Sequence, residues 1–252
     1  MSAEQYFQRA SEILQKIAAT QTPKIVEAAG YFAGSIAAGR VVHMYGSGHS
    51  VLPVQDIFPR YGGYVGWHPL QDPRLMWFAP TGPGGAPELL WLERQEGYVE
   101  QFLKSFDLQP QDSMLVFSHG GLNAAPLEAA KIAKEKGLKV VVVTSVENYR
   151  TRASTHSTGK KMADFADIVL DNCSPPEDAV VPIPGVTGPV GASSTLAAVS
   201  IAMALVSETA AQLAKRGISV KPFVSPNVTD APKDTNDRVY DLYRERVRGL
   251  RH

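Results

Sequence analysis

One cysteine, Cys173, stands among 252 residues, so no intramolecular disulfide can brace the fold. Thiol usage this sparse fits a reducing compartment. Neither sign of charge is in excess: 25 Lys and Arg balance 25 Asp and Glu. With no global field to gather nucleic acid or anionic lipid, any bound anion must be held by a local site. Long apolar runs are missing too. Glu4, Arg9, Glu12 and Lys16 break up the N-terminal stretch, which lacks the apolar core of a secretion signal. Residues 190–206 are short for a membrane span and rich in Ala, Ser, Gly and Thr, so they read as a buried helix. The expectation is a cytoplasmic protein with neither nucleic-acid nor membrane partners, long enough to bury one sizeable core.

Apolar residues do recur at regular spacing. Tyr6, Ala10, Ile13, Leu14 and Ile17, then Ile25, Ala28, Ala29, Phe32 and Ile36, follow a helical period interrupted at Thr22-Pro23. A helical hairpin is expected over residues 1–38, with the proline in the first turn of its second helix. Residues 41–45, 113–117, 140–144 and 168–170 are apolar runs too short for helices and mostly β-branched, as befits strands covered on both faces. A fifth strand is expected at Tyr64-Val65-Gly66-Trp67, within a Trp-, Pro- and Gly-rich segment, 62–92, that otherwise reads as an irregular lid or subunit contact. Helical patterns at 94–106, 126–136, 193–215 and 238–248 lie between or after these runs. The alternation predicts an α/β fold: a doubly wound parallel sheet of about five strands flanked by helices, with ligands at the carboxyl ends of the strands. One domain is expected over 1–252, its α/β core at 39–216 and a tail with a final helix at 217–252.

Gly46-Ser47-Gly48-His49-Ser50 follows the first strand directly. Glycines and hydroxyls between a strand and a helix leave backbone N–H groups and side-chain donors at a positive helix end, which suits an anion; an ordinary glycine turn is the competing reading. Leu115-Val116-Phe117-Ser118-His119-Gly120-Gly121-Leu122-Asn123 repeats the arrangement after the third strand. Together with Ala130-Lys131, residues 136–140, His156-Ser157-Thr158-Gly159-Lys160 and Asn227-Val228 through Asn236, the pattern resembles the SIS (sugar isomerase) domain, and within it the branch related to phosphoheptose isomerase.

That resemblance covers most of the chain and implies a parallel α/β fold that binds phosphosugars. The phosphate-binding positions it implies are Gly46, Ser47, Gly48, Ser50, Ser118, His119, Gly120, Gly121 and Asn123. A covering loop would add His156, Ser157 and Lys160. Two departures stand out. The usual Ser-x-Ser-Gly-x-Ser/Thr loop keeps only Ser118 of its three hydroxyls, with Gly120 and Asn123 at the others. Pro59-Arg60 stands where phosphoheptose isomerases carry a glutamate, and Pro59 requires the helix after the first loop to be short.

Aldose–ketose isomerisation moves a proton between adjacent carbons and needs a carboxylate or imidazole base. Glu93, Glu96 and His49 are the catalytic candidates. A glutamate in a first helical turn is also favoured by the helix dipole alone, so the two carboxylates have a purely structural reading as well. His43 reads as a core residue. His49, His68, His119 and His156 follow strands but lack the spacing of a compact metal motif, so no metal or other cofactor is expected. Thr158-Gly159-Lys160-Lys161 lacks the earlier glycine of a nucleotide loop. Glu208, within an otherwise apolar helix, reads as an end-turn residue or as a further carboxylate near the site.

The leading expectation is a sugar-phosphate isomerase assembled as a homodimer or homotetramer. A non-catalytic module that senses a carbohydrate derivative, or a lyase acting on an amino-sugar phosphate ether, remains the alternative.

Overall fold

The computed structural model describes residues 1–252 apart from 77, 229, 249, 251 and 252. Ser2–Ala37 form one continuous helix, α1, in place of the expected hairpin. Pro23 lies inside it, where a proline removes one backbone hydrogen bond and crowds the carbonyl four residues back, costing ~3 kcal/mol. Packing outweighs that cost. The buried stripe Ile17, Gln21, Ile25, Ala28 and Phe32 runs past the proline unbroken. Asp171 N donates to Gln21 Oε1 at 3.0 Å, and Lys24 Nζ donates to Val169 O at 3.1 Å, so the residues beside Pro23 are bonded to the sheet.

Five parallel strands form that sheet: β1 (Val42–Gly46), β2 (Trp67–Leu70), β3 (Ser113–Phe117), β4 (Lys139–Thr144) and β5 (Ile168–Asp171), in the order β2-β1-β3-β4-β5. The fifth expected strand begins three residues late. Gly66 turns the chain at a φ of +132°, and Tyr64 is diverted into a bridge with Pro222 while its hydroxyl donates to Val206 O at 2.8 Å. Side chains alternate across the sheet. Met44, Leu115 and Val141 meet Phe32 of α1 and Ile201 and Leu205 of α7 (Ser194–Lys215). Tyr45, Val116 and Val142 meet Leu103 of α4 (Tyr98–Leu103) and Ala129 of α5 (Ala124–Glu135).

The remaining helices are α2 (Val51–Ile57), α3 (Ala86–Leu92), α6 (Val146–Thr151) and α8 (Thr235–Arg248). α2 stops before Pro59, as the sequence requires. Of the helix expected at 94–106 only residues 98–103 form one, α4, because Gly97 takes a left-handed φ of +82° that glycine adopts without a steric penalty; the separate helix α3 ends before it. Glu93 therefore closes a helix rather than opening one, and the dipole reading of that residue falls away. A short antiparallel hairpin, β6 (Ala179–Val181) and β7 (Val190–Ala192), precedes α7 and takes the first residues of the stretch read as helical.

α7 is the one described helix long and apolar enough to cross a membrane, with 44 % of its apolar window buried. It packs on α1 and α2, so the burial expected on all its sides is only partly met within one chain. β1 and β3 are neighbours whose connections leave in opposite directions, to β2 and to β4. This is the switch point of the sheet, where the strand ends open a crevice.

Pro23 is exposed, so Pro23→Ala restores a helical hydrogen bond without removing buried contacts. The variant should be more stable by about 2 kcal/mol, the ~3 kcal/mol helical cost less the ~1 kcal/mol by which proline restrains the unfolded chain, roughly 4–8 °C in Tm for a chain of this size. A lower Tm on thermal denaturation would show that the proline is needed where it stands.

Candidate functional site

At the carboxyl edge of β1 the chain enters a single 3-10 turn, Gly48–Ser50. Gly46 has no room for a side chain, since a Cβ there would lie 2.2 Å from Ser50 O. Gly48 takes a φ of +59°. Between these glycines Ser47 is buried, and its hydroxyl donates to Glu93 Oε2 at 2.8 Å. The second loop leaves β3 with Ser118 Oγ accepting from Gly121 N at 3.0 Å, Gly121 being held at a φ of +63°. Asn123 Nδ2 then donates to the other oxygen of the same glutamate, Glu93 Oε1, at 2.6 Å.

Glu93 thus spans both loops from the end of α3, with 7 % of its surface exposed. Its carbonyl also accepts from Ala125 N at 2.9 Å, in the first turn of α5. Burial pushes its carboxyl above the ordinary value, and the bonds from Ser47 and Asn123 offset that only in part.

A cavity of about 160 Å³ opens between the loops and the start of α7. His49, Ser50, Ser118 and His119 form one wall, and Asn172, Asp178, Ser194 and Thr195 the other. The tautomer of His119 follows from its neighbours. Asn172 Oδ1 accepts from Ser174 N at 3.0 Å, which turns Asn172 Nδ2 toward His119 Nδ1 at 3.2 Å. His119 accepts there, so its proton sits on Nε2, 3.4 Å from Pro176 O. Asp178 accepts from Ser193 N at 2.9 Å and from Ser194 N at 2.6 Å on Oδ1, and from Ser194 Oγ at 2.8 Å on Oδ2. Burial opposes its ionisation, but these bonds more than compensate and hold its carboxyl below the ordinary value.

Four of the residues picked out in the sequence, His49, Ser50, Ser118 and His119, meet in the cavity. Ser47 and Asn123 instead spend their donors on Glu93. Gly46, Gly48 and Gly121 shape the loops, and Gly120 is partly exposed between them. Neither Glu93 nor Glu96, the carboxylate candidates for the base, lines the cavity. Glu96 accepts from the backbone and hydroxyl of Ser157, which hold its carboxyl low. His156 Nε2 lies 3.7 Å from Glu96 Oε2 and 3.6 Å from Glu128 Oε1. Ser157 therefore ties its loop to Glu96, with His156 placed between Glu96 and Glu128 of α5 and exposed Lys160 lining no part of the cavity. His43 is buried between Asp112 and His68 at the opposite edge of the sheet, as a core residue should be.

Asn172, Asp178 and Thr195 escaped the sequence reading. Ser193-Ser194-Thr195 before an apolar helix is a capping signal that marks this end of α7. Residues 174–189 offer no periodicity that would mark Asp178.

Residues 5–145 match the family model of the SIS domain. The chain belongs to the SIS domain family. The matched part of the SIS domain contains both glycine loops, whereas the wall from Asn172 to Thr195 lies beyond it. The UPF0309 protein BH0227 of Halalkalibacterium halodurans is 33 % identical over 96 % of this chain and 94 % of its own length. The UPF0309 protein Teth39_1980 of Thermoanaerobacter pseudethanolicus is 33 % identical over 98 % and 99 %. Among solved structures, a phosphoheptose isomerase from Francisella tularensis shares the SIS fold with a TM-score of 0.54 at 16 % identity, over 82 % of this chain and 95 % of that one.

A carboxyl whose value is raised by folding stabilises the fold at low pH, and that contribution is lost as the pH climbs through the raised value. Relative to the non-ionising Glu93→Gln, the wild type should lose stability as the pH rises above 4.5, the ordinary value. Urea denaturation at pH 5 and pH 8 measures this; a gap between the two proteins that does not move with pH would count against it.

Proposed function

We propose that this SIS domain, read as one domain over residues 1–252, binds a phosphorylated monosaccharide at the β1/β3 edge and interconverts its aldose and ketose forms. The observation that carries this reading is the cavity at the switch point, lined by His49, Ser50, Ser118 and His119. Its volume of about 160 Å³ is below the ~300–1,000 Å³ of pockets that enclose drug-sized ligands, which favours a small sugar over a nucleotide. Ser118 Oγ already accepts from Gly121 N, so its hydrogen is left to donate outward. With Ser50 and the amides of Gly120, and with α5 opening just behind, it makes the phosphate end. The likeness in fold to the Francisella tularensis phosphoheptose isomerase supports the class of reaction.

His49 is the catalytic residue in this reading. It removes the proton from C2 of the open-chain aldose, the C–H electrons form the enediolate double bond, and the proton is returned to C1 while the hydroxyl hydrogen passes from O2 to O1. Substrate and product are isomers, so no external oxidant or reductant is consumed. His119, with both nitrogens engaged, shapes the wall of the cavity, and Glu93 positions the two loops. Turnover of a panel of three- to seven-carbon sugar monophosphates tests the proposal. His49→Ala should lower kcat about 10²–10⁴-fold with KM little changed; unchanged kcat would remove His49 from the role.

A second reading has one observation in its favour: Glu93 and Glu96 both face away from the cavity. A sensor module that binds a phosphosugar without turning it over fits that arrangement. Binding by calorimetry with no interconversion of any bound sugar would select it.

The proposal also takes the protein as a homodimer or homotetramer. Phe7, Val186 and Leu196, on α1, the β6–β7 hairpin and α7, are exposed at 70 %, 48 % and 38 %, and apolar surface of this kind supports self-association. Sedimentation velocity at micromolar concentration should give a dimer or tetramer; a monomer would end this part of the proposal.

A further inference from the structure

The far wall of the cavity carries a fixed carboxylate. α7 is a 22-residue helix whose N-terminus would welcome an anion, but Asp178 already fills that position. Besides the three bonds to its side chain, its carbonyl accepts from Ser193 N at 3.0 Å and from Ser193 Oγ at 2.9 Å. Asp178 sits at a φ of +66°, a left-handed conformation that aspartate tolerates when local hydrogen bonds hold it. Four donor groups at one residue, the Ser193 N–H being shared between the carbonyl and Oδ1, leave the carboxylate little freedom to swing away from an incoming ligand.

Its oxygens are not saturated. An ionised carboxylate offers about four acceptor sites, and the bonds from Ser193 N, Ser194 N and Ser194 Oγ use three. Asn172, on the same wall, is committed to Ser174 and His119, and His119 to Asn172 and Pro176.

We infer that Asp178 sets the specificity of the site by charge: one acceptor position remains for a sugar hydroxyl, and a second anionic group at the end remote from the phosphate is rejected. This rests on the reading of the cavity as a phosphosugar site and narrows it to monophosphates whose far end is neutral. Sugar acids, bisphosphates and sugar ethers with a carboxylate arm are disfavoured.

The test is calorimetric binding of matched pairs to the full chain. Hexose and heptose monophosphates are compared with their C1-acid or C1-phosphate counterparts, for example glucose 6-phosphate with 6-phosphogluconate and fructose 6-phosphate with fructose 1,6-bisphosphate. The wild type should prefer the neutral-ended member at least tenfold. Asp178→Asn, which keeps an acceptor for the helix end but loses the charge, should shrink that preference at least fivefold. If that variant folds poorly, Asn172→Asp adds a second carboxylate to the wall and should widen the preference at least threefold. Monophosphates bound with no preference over their acidic counterparts in the wild type, or a preference that Asp178→Asn leaves intact, overturn the inference and leave the phosphosugar reading standing. Binding of no sugar phosphate at all overturns both.

Discussion

Glu93 is a carboxylate buried where nothing apolar could take its place. Ser47 hangs from the end of β1 and Asn123 from the start of α5, and each points a donor into the space between the loops. A single acceptor group with two oxygens satisfies both, and charge-assisted bonds of this kind are stronger than neutral ones. Ser47 is thereby drawn inward, Asn123 is diverted from capping its own helix, and Ser50, Ser118 and Gly120 are left toward the crevice. Desolvation of the carboxyl opposes the arrangement. It persists because β1 and α5 are fixed by the sheet, and α3 is anchored through buried Leu89 and its contacts with the first loop and with the turn at Pro73–Leu75.

The crevice needs a second wall, and that wall comes from a part of the chain far removed in sequence. Residues 172–178 leave the carboxyl end of β5, pass through Asp178, and return after the β6–β7 hairpin to the start of α7. Asp178 joins the two ends of this excursion by bonding Ser193 and Ser194. The binding chemistry is therefore divided. Backbone amides and hydroxyls of the glycine loops are suited to an anion, while the opposite wall holds a charge of the same sign as that anion. A ligand accommodated by both walls is polar at each end and anionic at only one.

Much of the scaffold was legible in the residue order. Runs such as Val140-Val141-Val142-Val143 admit little except a strand covered on both faces, and four of the five strands lie within a residue of where such runs end. The errors share one cause. Local preference alone breaks the chain at Thr22-Pro23 and runs a helix from Arg94 to Phe106, whereas contact with β5 and α7 carries α1 through its proline and a left-handed turn at Gly97 delays the second helix to Tyr98. The two glycine loops were found because glycine and hydroxyl residues after a strand carry a mechanism with them. Asp178 and Asn172 were missed because their stretch has neither period nor motif.

The sequence by itself determined the sheet, the two loops at its carboxyl edge and the family, since buried β-branched runs and glycines at forced turns act over a few residues. Tertiary structure alone decided which polar groups face the ligand. Glu93, Glu96, His49 and Ser47 all lie near that edge, yet burial and the nearest partner turn Glu93, Glu96 and Ser47 away and leave His49 in the cavity. A side chain's role there depends on which donor or acceptor reaches it first across the fold, and neighbours brought together from opposite ends of a domain are not encoded in its local spacing.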